Sequence, residues 1–190
     1  MKKVAIENKR LVFDGFFKIE EAVLKYERFD GTMSESVRRL NLDRGDSVAA
    51  LILNLDSSQV ILTNQFKYPT YGNGDGWITE VVAGMVQRDE NYEDAVRREV
   101  LEETGYKVGR LTHISSFYVS PGGSSERIIL YYVEVRNADR IASGGGLASE
   151  AEDIELVEIP VADIPKHLES NTISDAKTIL ALMWLTKQKE

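Results

Sequence analysis

The chain of 190 residues predicts an α+β fold in which a mixed β-sheet lies between helices, a layered α/β/α arrangement, with a small antiparallel β-sheet at the N-terminus. Three observations predict it. Apolar runs of strand length recur along most of the chain, only a few stretches carry helical periodicity, and the composition changes near Asp46. Hydrophobic residues make up 43% and charged residues 28%, a balance that excludes disordered and fibrous classes and suits one substantial core with a small appendage. No internal repeat is present, which excludes solenoids and propellers.

The first 45 residues read as a separate sheet element. FFKIEEAVLKYERF is followed by the turn pair Asp30 and Gly31 and then TMSESVRRLNL, the punctuation of a hairpin. Residues 46–190 form the main domain. SVAALILNL and QVILTNQFK read as core strands, separated by the polar Asp56, Ser57 and Ser58. YPTYGNGDG is rich in glycine and reads as a loop before the strand WITEVVAG. Residues 91–104 switch to helical spacing, with Ala95, Val96 and Val100 as the apolar stripe and Gly105 placed to end the helix. THISSFYVS and ERIILYYVEV are strands on either side of a Pro121-Gly122-Gly123 turn. RNADRIASGGGLASEAED makes a long glycine-rich acidic loop, of a length usual for functional loops. EDIELVEIP reads as a strand, VADIPKHLES as a short helix and SDAKTILALMWLTKQ as a C-terminal amphipathic helix.

Charge and composition narrow the function. A net charge of -8 argues against a protein that neutralises many phosphates of a nucleic acid, so no nucleic-acid partner is expected. An acidic protein that handles an anionic phosphate ligand needs divalent cations to bridge the two. The first ten residues hold no apolar core of a signal peptide and no stretch is long enough to span a bilayer, so a cytoplasmic protein without a membrane partner is expected. With zero cysteines there is no thiolate nucleophile or thiolate metal site, and His113 and His167 read as bystanders.

The chemistry gathers on the helix of residues 91–104. Glu99, Glu102 and Glu103 stand at relative positions 0, 3 and 4, which places three carboxylates on one helical face. Like charges at that spacing repel, whereas a divalent cation with a preference for hard oxygen ligands would neutralise them. Arg98, four residues before Glu102, is placed to orient that carboxylate. Taken alone, such a run is commonly a solvated face. The flanking residues decide otherwise. The segment GMVQRDENYEDAVRREVLEETGY gives Gly84, Glu90, Arg98, Glu99, an apolar Val100, Glu102, Glu103, Gly105 and an apolar Tyr106. Its fixed identities arise by chance on the order of 10⁻⁸ per window, so coincidence is set aside.

This segment resembles the Nudix box at every fixed position, and the Nudix fold, a mixed sheet between helices, accounts for the chain from residue 46 onward. The resemblance implies hydrolysis of a phosphoanhydride with Mg (or Mn) as cofactor. It implies Glu99, Glu103 and Glu102 as metal ligands, the backbone carbonyl of Ala83 as another, Gly84 as a point of close backbone approach, and Glu90 as a structural member. No covalent nucleophile is required, but a general base is. The long loop supplies Glu150 and Glu152, with Glu152 the choice for an additional metal ligand. Glu126, after the Pro-Gly-Gly turn, is a third candidate to enter the site, and Glu103 is both ligand and catalytic candidate.

Pro121 follows Gly105 at an offset that resembles the ADP-ribose pyrophosphatase-like subgroup. DRGD, SPGG and GGGLASEAEDIELVEIP together resemble most the bacterial GDP-mannose pyrophosphatases within the family. The expected reaction is cleavage of a nucleoside diphosphate sugar, GDP-mannose or ADP-ribose, to a nucleoside monophosphate and a sugar phosphate. The resemblance also implies a homodimer in which the N-terminal sheet is exchanged and builds part of the partner's site. Phe16 or Phe17 would stack on the base, Arg38, Arg39, Arg44 and Lys67 would meet phosphate or sugar, and Lys177 would reach the substrate from the last helix. Two other readings stand beside this one: a nucleoside triphosphate or RNA 5′-end pyrophosphohydrolase, and a non-catalytic nucleotide-sugar sensor. The acidic charge disfavours long RNA, and the intact box without a basic DNA-binding segment disfavours a sensor.

Overall fold

A computed structural model describes residues 1–188. The chain divides into two compact units, the first made of Met1–Asp46 and Tyr118–Arg127, the second of Ser47–Phe117 and Ile128–Glu190.

In the first unit β1 (Val4–Asp14), β2 (Lys18–Tyr26) and β3 (Val37–Asp43) form an antiparallel sheet in that order. The hairpin expected from the sequence is β2 and β3. At its turn Asp30 Oδ1 accepts the Thr32 amide at 2.9 Å, and Gly31 takes φ 85°, the left-handed region that favours glycine. β1 is an addition to that hairpin. Every one of its residues is exposed, so no buried alternation marks it as a strand in the sequence. The central strand is fastened by charge pairs across the ladder. Arg10 stands opposite Glu21 and bonds it at 2.8 Å, and Arg38 bonds the same carboxylate from the other side. The returning segment is tied to β3, where the Leu42 amide donates to the Gly123 carbonyl at 2.8 Å and the Ser125 amide to the Leu42 carbonyl at 3.2 Å.

The second unit is the layered domain. Its strands are β4 (Ser47–Asn54), β5 (Gln59–Phe66), β6 (Trp77–Glu80), β7 (Val82–Met85), β8 (Leu111–Tyr118), β9 (Arg127–Val135) and β10 (Glu155–Pro160). The main path runs β10-β5-β4-β9-β8, with β6 on β5 and β7 on β4. Pairing is antiparallel from β10 through β4, while β4 and β9 run parallel. All of β4 is buried, and its period of two divides the core. Val48, Ala50 and Ile52 join Ala95, Val96 and Val100 of α1 (Tyr92–Thr104) on one face. Ala49, Leu51 and Leu53 join Ile164 of α2 (Ile164–Glu169) and Ala181, Leu182 and Leu185 of α3 (Ala176–Lys187) on the other. The expected sheet between helices is therefore what forms.

The run WITEVVAG departs from the single strand expected of it. β4 pairs β5 only over residues 52–54 and pairs β7 over 47–50, so the two long strands splay. The chain leaves β5 at Glu80 and joins β4 at Val82, breaking at Val81. The Val81 amide, lost to the ladder, donates to Thr178 Oγ1 of α3 at 2.8 Å, as a buried backbone donor must find some partner. The short helix expected over residues 161–170 is regular only from Ile164 to Glu169, after a 3-10 turn at Val161–Asp163. Among the described residues no helix is long and apolar enough to cross a membrane.

Candidate active site

Helix α1 starts where Asn91 Oδ1 accepts the Asp94 amide at 2.9 Å, with Glu93 and Asp94 in the first turn, where the helix dipole favours negative charge. It ends at Gly105, whose φ of 78° lets its amide donate to the Leu101 carbonyl at 2.9 Å. With Ala95, Val96 and Val100 buried in the core, the helix is held in one rotation. That rotation brings Glu99 onto β7. Gly84 has no Cβ to obstruct it, and one built there would lie 1.9 Å from the Glu99 carboxylate.

Arg98 gathers the acidic side chains. Its Nε and Nη2 donate to the two oxygens of Glu90, each at 2.9 Å, a bidentate pairing of planar groups. Nη1 donates to Glu99 Oε1 at 2.7 Å and to Glu102 Oε2 at 3.2 Å, and Nη2 also reaches the Met85 carbonyl at 3.1 Å. The bond from Arg98 holds the Glu90 carboxyl below the ordinary glutamate range. Glu90 is thus tied into the loop ahead of the helix, where it also accepts the Gln87 amide at 3.0 Å.

Glu99 and Glu103 behave differently. Burial raises the Glu99 pKa despite the opposing pull of Arg98, and repulsion from Glu102 and Glu152 adds to it. Glu103 is 5% exposed. Burial first, then repulsion from Glu99, pushes its carboxyl up to about 9, although Lys67 pulls the other way. Its Oε2 is buried without a hydrogen-bond partner. A buried carboxylate oxygen left unpaired is costly, and a hard divalent cation is the partner whose chemistry matches two repelling carboxylates in one place. The donor set therefore fits such an ion. Among the described residues no three His, Asp or Glu side chains stand grouped at metal-binding spacing; Glu99 and Glu102 are turned onto Arg98 instead.

A second charged cluster borders Glu103. Lys67, just past β5, bonds Glu80 Oε1 at 3.1 Å, while Lys177 of α3 bonds Glu80 Oε2 and also Asp175 Oδ1 at 2.9 Å. Asp175 in turn caps α3, accepting the Thr178 amide at 2.9 Å. Burial works against the Lys177 ammonium, but Glu80 and Asp175 together lift its pKa above that of an ordinary lysine. Glu80 is not among the residues that the sequence singles out. Its signal was available, as the one acid in the apolar strand run WITEVVAG, since buried acids are seldom unpaired.

The glycine-rich loop closes over the end of α1. The Gly145 amide donates to the Glu103 carbonyl at 2.8 Å and the Gly146 amide to the Glu102 carbonyl at 3.1 Å, satisfying acceptors that a helix C-terminus leaves free. Gly144, Gly145 and Gly146 all have positive φ. Glu152 Oε2 accepts the Leu147 amide at 2.9 Å, and its charge contributes to the raised pKa of both Glu99 and Glu103. Glu150 lies in an exposed 3-10 turn, Ala148–Glu150.

The remaining expected residues lie in the first unit. Phe16 is exposed and packs edge-on to the half-buried Phe17 at 4.8 Å. The Arg44 guanidinium lies 5.7 Å from the Phe17 ring and 3.5 Å from Glu126. Arg38 is committed to Glu21, Arg39 is exposed with its Nη1 on the Arg38 carbonyl at 3.0 Å, and Pro121 is exposed.

The family model of the NUDIX domain matches residues 43–182. The GDP-mannose pyrophosphatase of Pectobacterium atrosepticum is 37% identical over 181 residues, 94% of this chain and 92% of that protein. The protein of the same name from Salmonella arizonae is 34% identical over 186 residues, 97% of this chain and 95% of its own. Among solved structures, one described as an ADP compounds hydrolase superposes with a TM-score of 0.74 at 21% identity, covering 98% of this chain and 96% of the other. That likeness speaks for the fold.

Proposed function

Because the chain belongs to the NUDIX domain family, we propose that it cleaves the diphosphate of a nucleoside diphosphate sugar, GDP-mannose or ADP-ribose, with magnesium or manganese held by Glu99, Glu102, Glu103, Glu152 and the Ala83 carbonyl. The chain is a pyrophosphohydrolase, and its family generally depends on divalent metal. The observation that carries the metal assignment is the buried, unpartnered Glu103 Oε2 beside Glu99. The substrate class is supported by relatives named for GDP-mannose that match nearly the whole chain.

When bound, the cation supplies charge neutralisation for the carboxylates and Lewis acidity toward the phosphoryl oxygens. The protein supplies the rest. Arg98 aligns Glu99 and Glu102, and Gly84 opens room for Glu99 against the backbone. Glu152 takes the part of general base and further ligand, because its carboxylate is half-buried and turned inward under the loop, where Oε2 accepts the Leu147 amide, whereas Glu150 lies in an exposed turn. Lys67 and Lys177 provide positive charge for the substrate.

Residues 1–45 act in this reading as a dimer-forming element and residues 46–190 as the catalytic domain. A sheet whose β1 leaves Val4, Ile6, Leu11, Val12 and Phe13 exposed has apolar surface suited to a second copy. Exchange of that sheet would put Phe16, Phe17, Arg38, Arg39, Arg44, Pro121 and Glu126 at the partner's substrate. A cytoplasmic setting belongs to the same reading.

The deciding experiment is a panel of GDP-mannose, ADP-ribose, dGTP and capped RNA, assayed with and without magnesium, with products identified after reaction in ¹⁸O-water. Magnesium-dependent release of a nucleoside monophosphate and a sugar phosphate is expected. Turnover confined to dGTP or capped RNA would replace the substrate assignment, and full activity in chelator would remove the metal.

A further inference from the structure

We propose that Glu80 is a positioning residue whose single carboxylate, bonded through Oε1 to Lys67 and through Oε2 to Lys177, presents the two ammonium groups as a fixed pair to the anionic part of the substrate. The inference rests on the nucleotide-sugar reading above and deepens it.

The two lysines come from distant parts of the chain, the end of β5 and the first turn of α3. Neither element could hold both. Glu80 lies at the last position of β6, 7% exposed, where the chain is about to cross from β5 to β4. Its backbone is pinned there by the pairing of Thr63 with Glu80 and by the bond from the Val81 amide to Thr178. The same Thr178 is held by Asp175, which also bonds Lys177. The carboxylate is thus fixed by the sheet, and the helix is fixed to the sheet beside it.

A free lysine has four rotatable bonds, and ordering it on a ligand costs affinity. A pair already ordered in the fold lowers that cost, which is the basis of preorganised binding. The lysines differ in their dependence on Glu80. Lys177 retains Asp175 if Glu80 is lost, and its side chain is 13% exposed. Lys67, 38% exposed at its side chain, has Glu80 as its ion-pair partner. Its charge is felt by Glu103, so this cation sits within electrostatic reach of the candidate metal site. Glu80 therefore governs Lys67 more than Lys177.

The test is Glu80→Gln, with Glu80→Asp as the conservative control and Lys67→Ala in both backgrounds. In the magnesium assay with the preferred nucleotide sugar, Glu80→Gln is expected to raise KM by roughly tenfold or more with kcat within about threefold. Lys67→Ala should cost little further in the Glu80→Gln background, because the two act as a unit, and Glu80→Asp should recover part of the loss. Nitrogen relaxation of lysine-labelled protein gives a readout without substrate: the Lys67 ammonium, ordered in the wild type, should become as mobile as a surface lysine in Glu80→Gln. Unchanged Lys67 mobility, or strictly additive losses in the double variant, would overturn the proposal. If no nucleotide sugar is cleaved by the wild type, the substrate reading fails, and the relaxation arm still decides whether Glu80 holds the pair.

Discussion

Glu99 rests its carboxylate against the backbone of Gly84, so closely that a Cβ at Gly84 would fall 1.9 Å from it. Gly84 has no positive φ, so alanine is sterically allowed to the backbone itself and the obstacle is the far end of a flexible side chain. Gly84→Ala should fold with stability within about 1 kcal/mol of wild type. Its cost should fall on chemistry, because displacing a catalytic group by about 1 Å lowers rates by about 10²-fold. Thermal melting and kcat/KM with magnesium check this. Wild-type turnover by Gly84→Ala would remove Glu99 from the site.

Glu103 presents the opposite balance, a buried oxygen without a partner next to a second carboxylate. Replacing it by glutamine removes the charge and keeps the shape. In chelator at neutral pH, Glu103→Gln should be more stable than wild type by about 1–2 kcal/mol, since a carboxyl pushed up to about 9 has to take up a proton on folding that the amide does not need, and should melt several degrees higher. Magnesium should raise the wild-type melting temperature and leave the variant unmoved, while activity falls by roughly 10³-fold or more. A variant that melts lower than wild type in chelator would show that the carboxylate is already compensated in the fold.

The parts of the site that were legible in the sequence are those set by local spacing. Glu99, Glu102 and Glu103 follow from helical geometry, and the cap at Gly105 from the need for a left-handed residue. What stayed hidden depends on tertiary placement. β1 buries none of its residues, so the periodicity that marks a half-buried strand is missing. The break at Val81 arises because β4 and β5 splay, which no local pattern announces. The glycine run was legible as a loop, but its task of closing the end of α1 through the carbonyls of Glu102 and Glu103 needed the three-dimensional arrangement. Glu80 was an acid in an apolar run, a sign of a buried ion pair whose partners lie far away in sequence.

The N-terminal sheet should weaken in acid. Bonds from Arg10 and then Arg38 hold the Glu21 carboxyl below its ordinary value of 4.5. A carboxyl whose folded pKa is depressed adds stability that is present above its unfolded value and lost as pH falls through the folded one. Glu7, bonded by Ser36 and Lys25, is lowered in the same way, so the wild-type response contains both. Protection factors at β1 and β2, with the intrinsic pH dependence of amide exchange divided out, should hold above the ordinary carboxyl value and fall as pH drops below it. Glu21→Gln should exchange faster than wild type at neutral pH and respond less to acid; an undiminished acid response would assign the effect to other groups.

Gly144 tests the closure of the loop on α1. Its φ is 69°, and a Cβ there would lie 2.5 Å from the Thr104 carbonyl carbon and 2.7 Å from the Glu103 carbonyl oxygen, both backbone atoms that cannot turn aside. Gly144→Ala therefore has to push the loop off the helix end. Strain of this kind costs about 1–3 kcal/mol, and a chain of this size loses about 2–4 °C of melting temperature per kcal/mol. The damage should be local: amides at the C-terminal turn of α1 and at Gly145 and Gly146 should lose protection, and kcat should fall with them because Glu102 and Glu103 sit in that turn. Gly72→Ala is the control, a glycine with nothing within 4 Å of a built Cβ and no positive φ. Equal melting temperatures and equal protection in the two variants would mean that the loop does not need its close approach to α1.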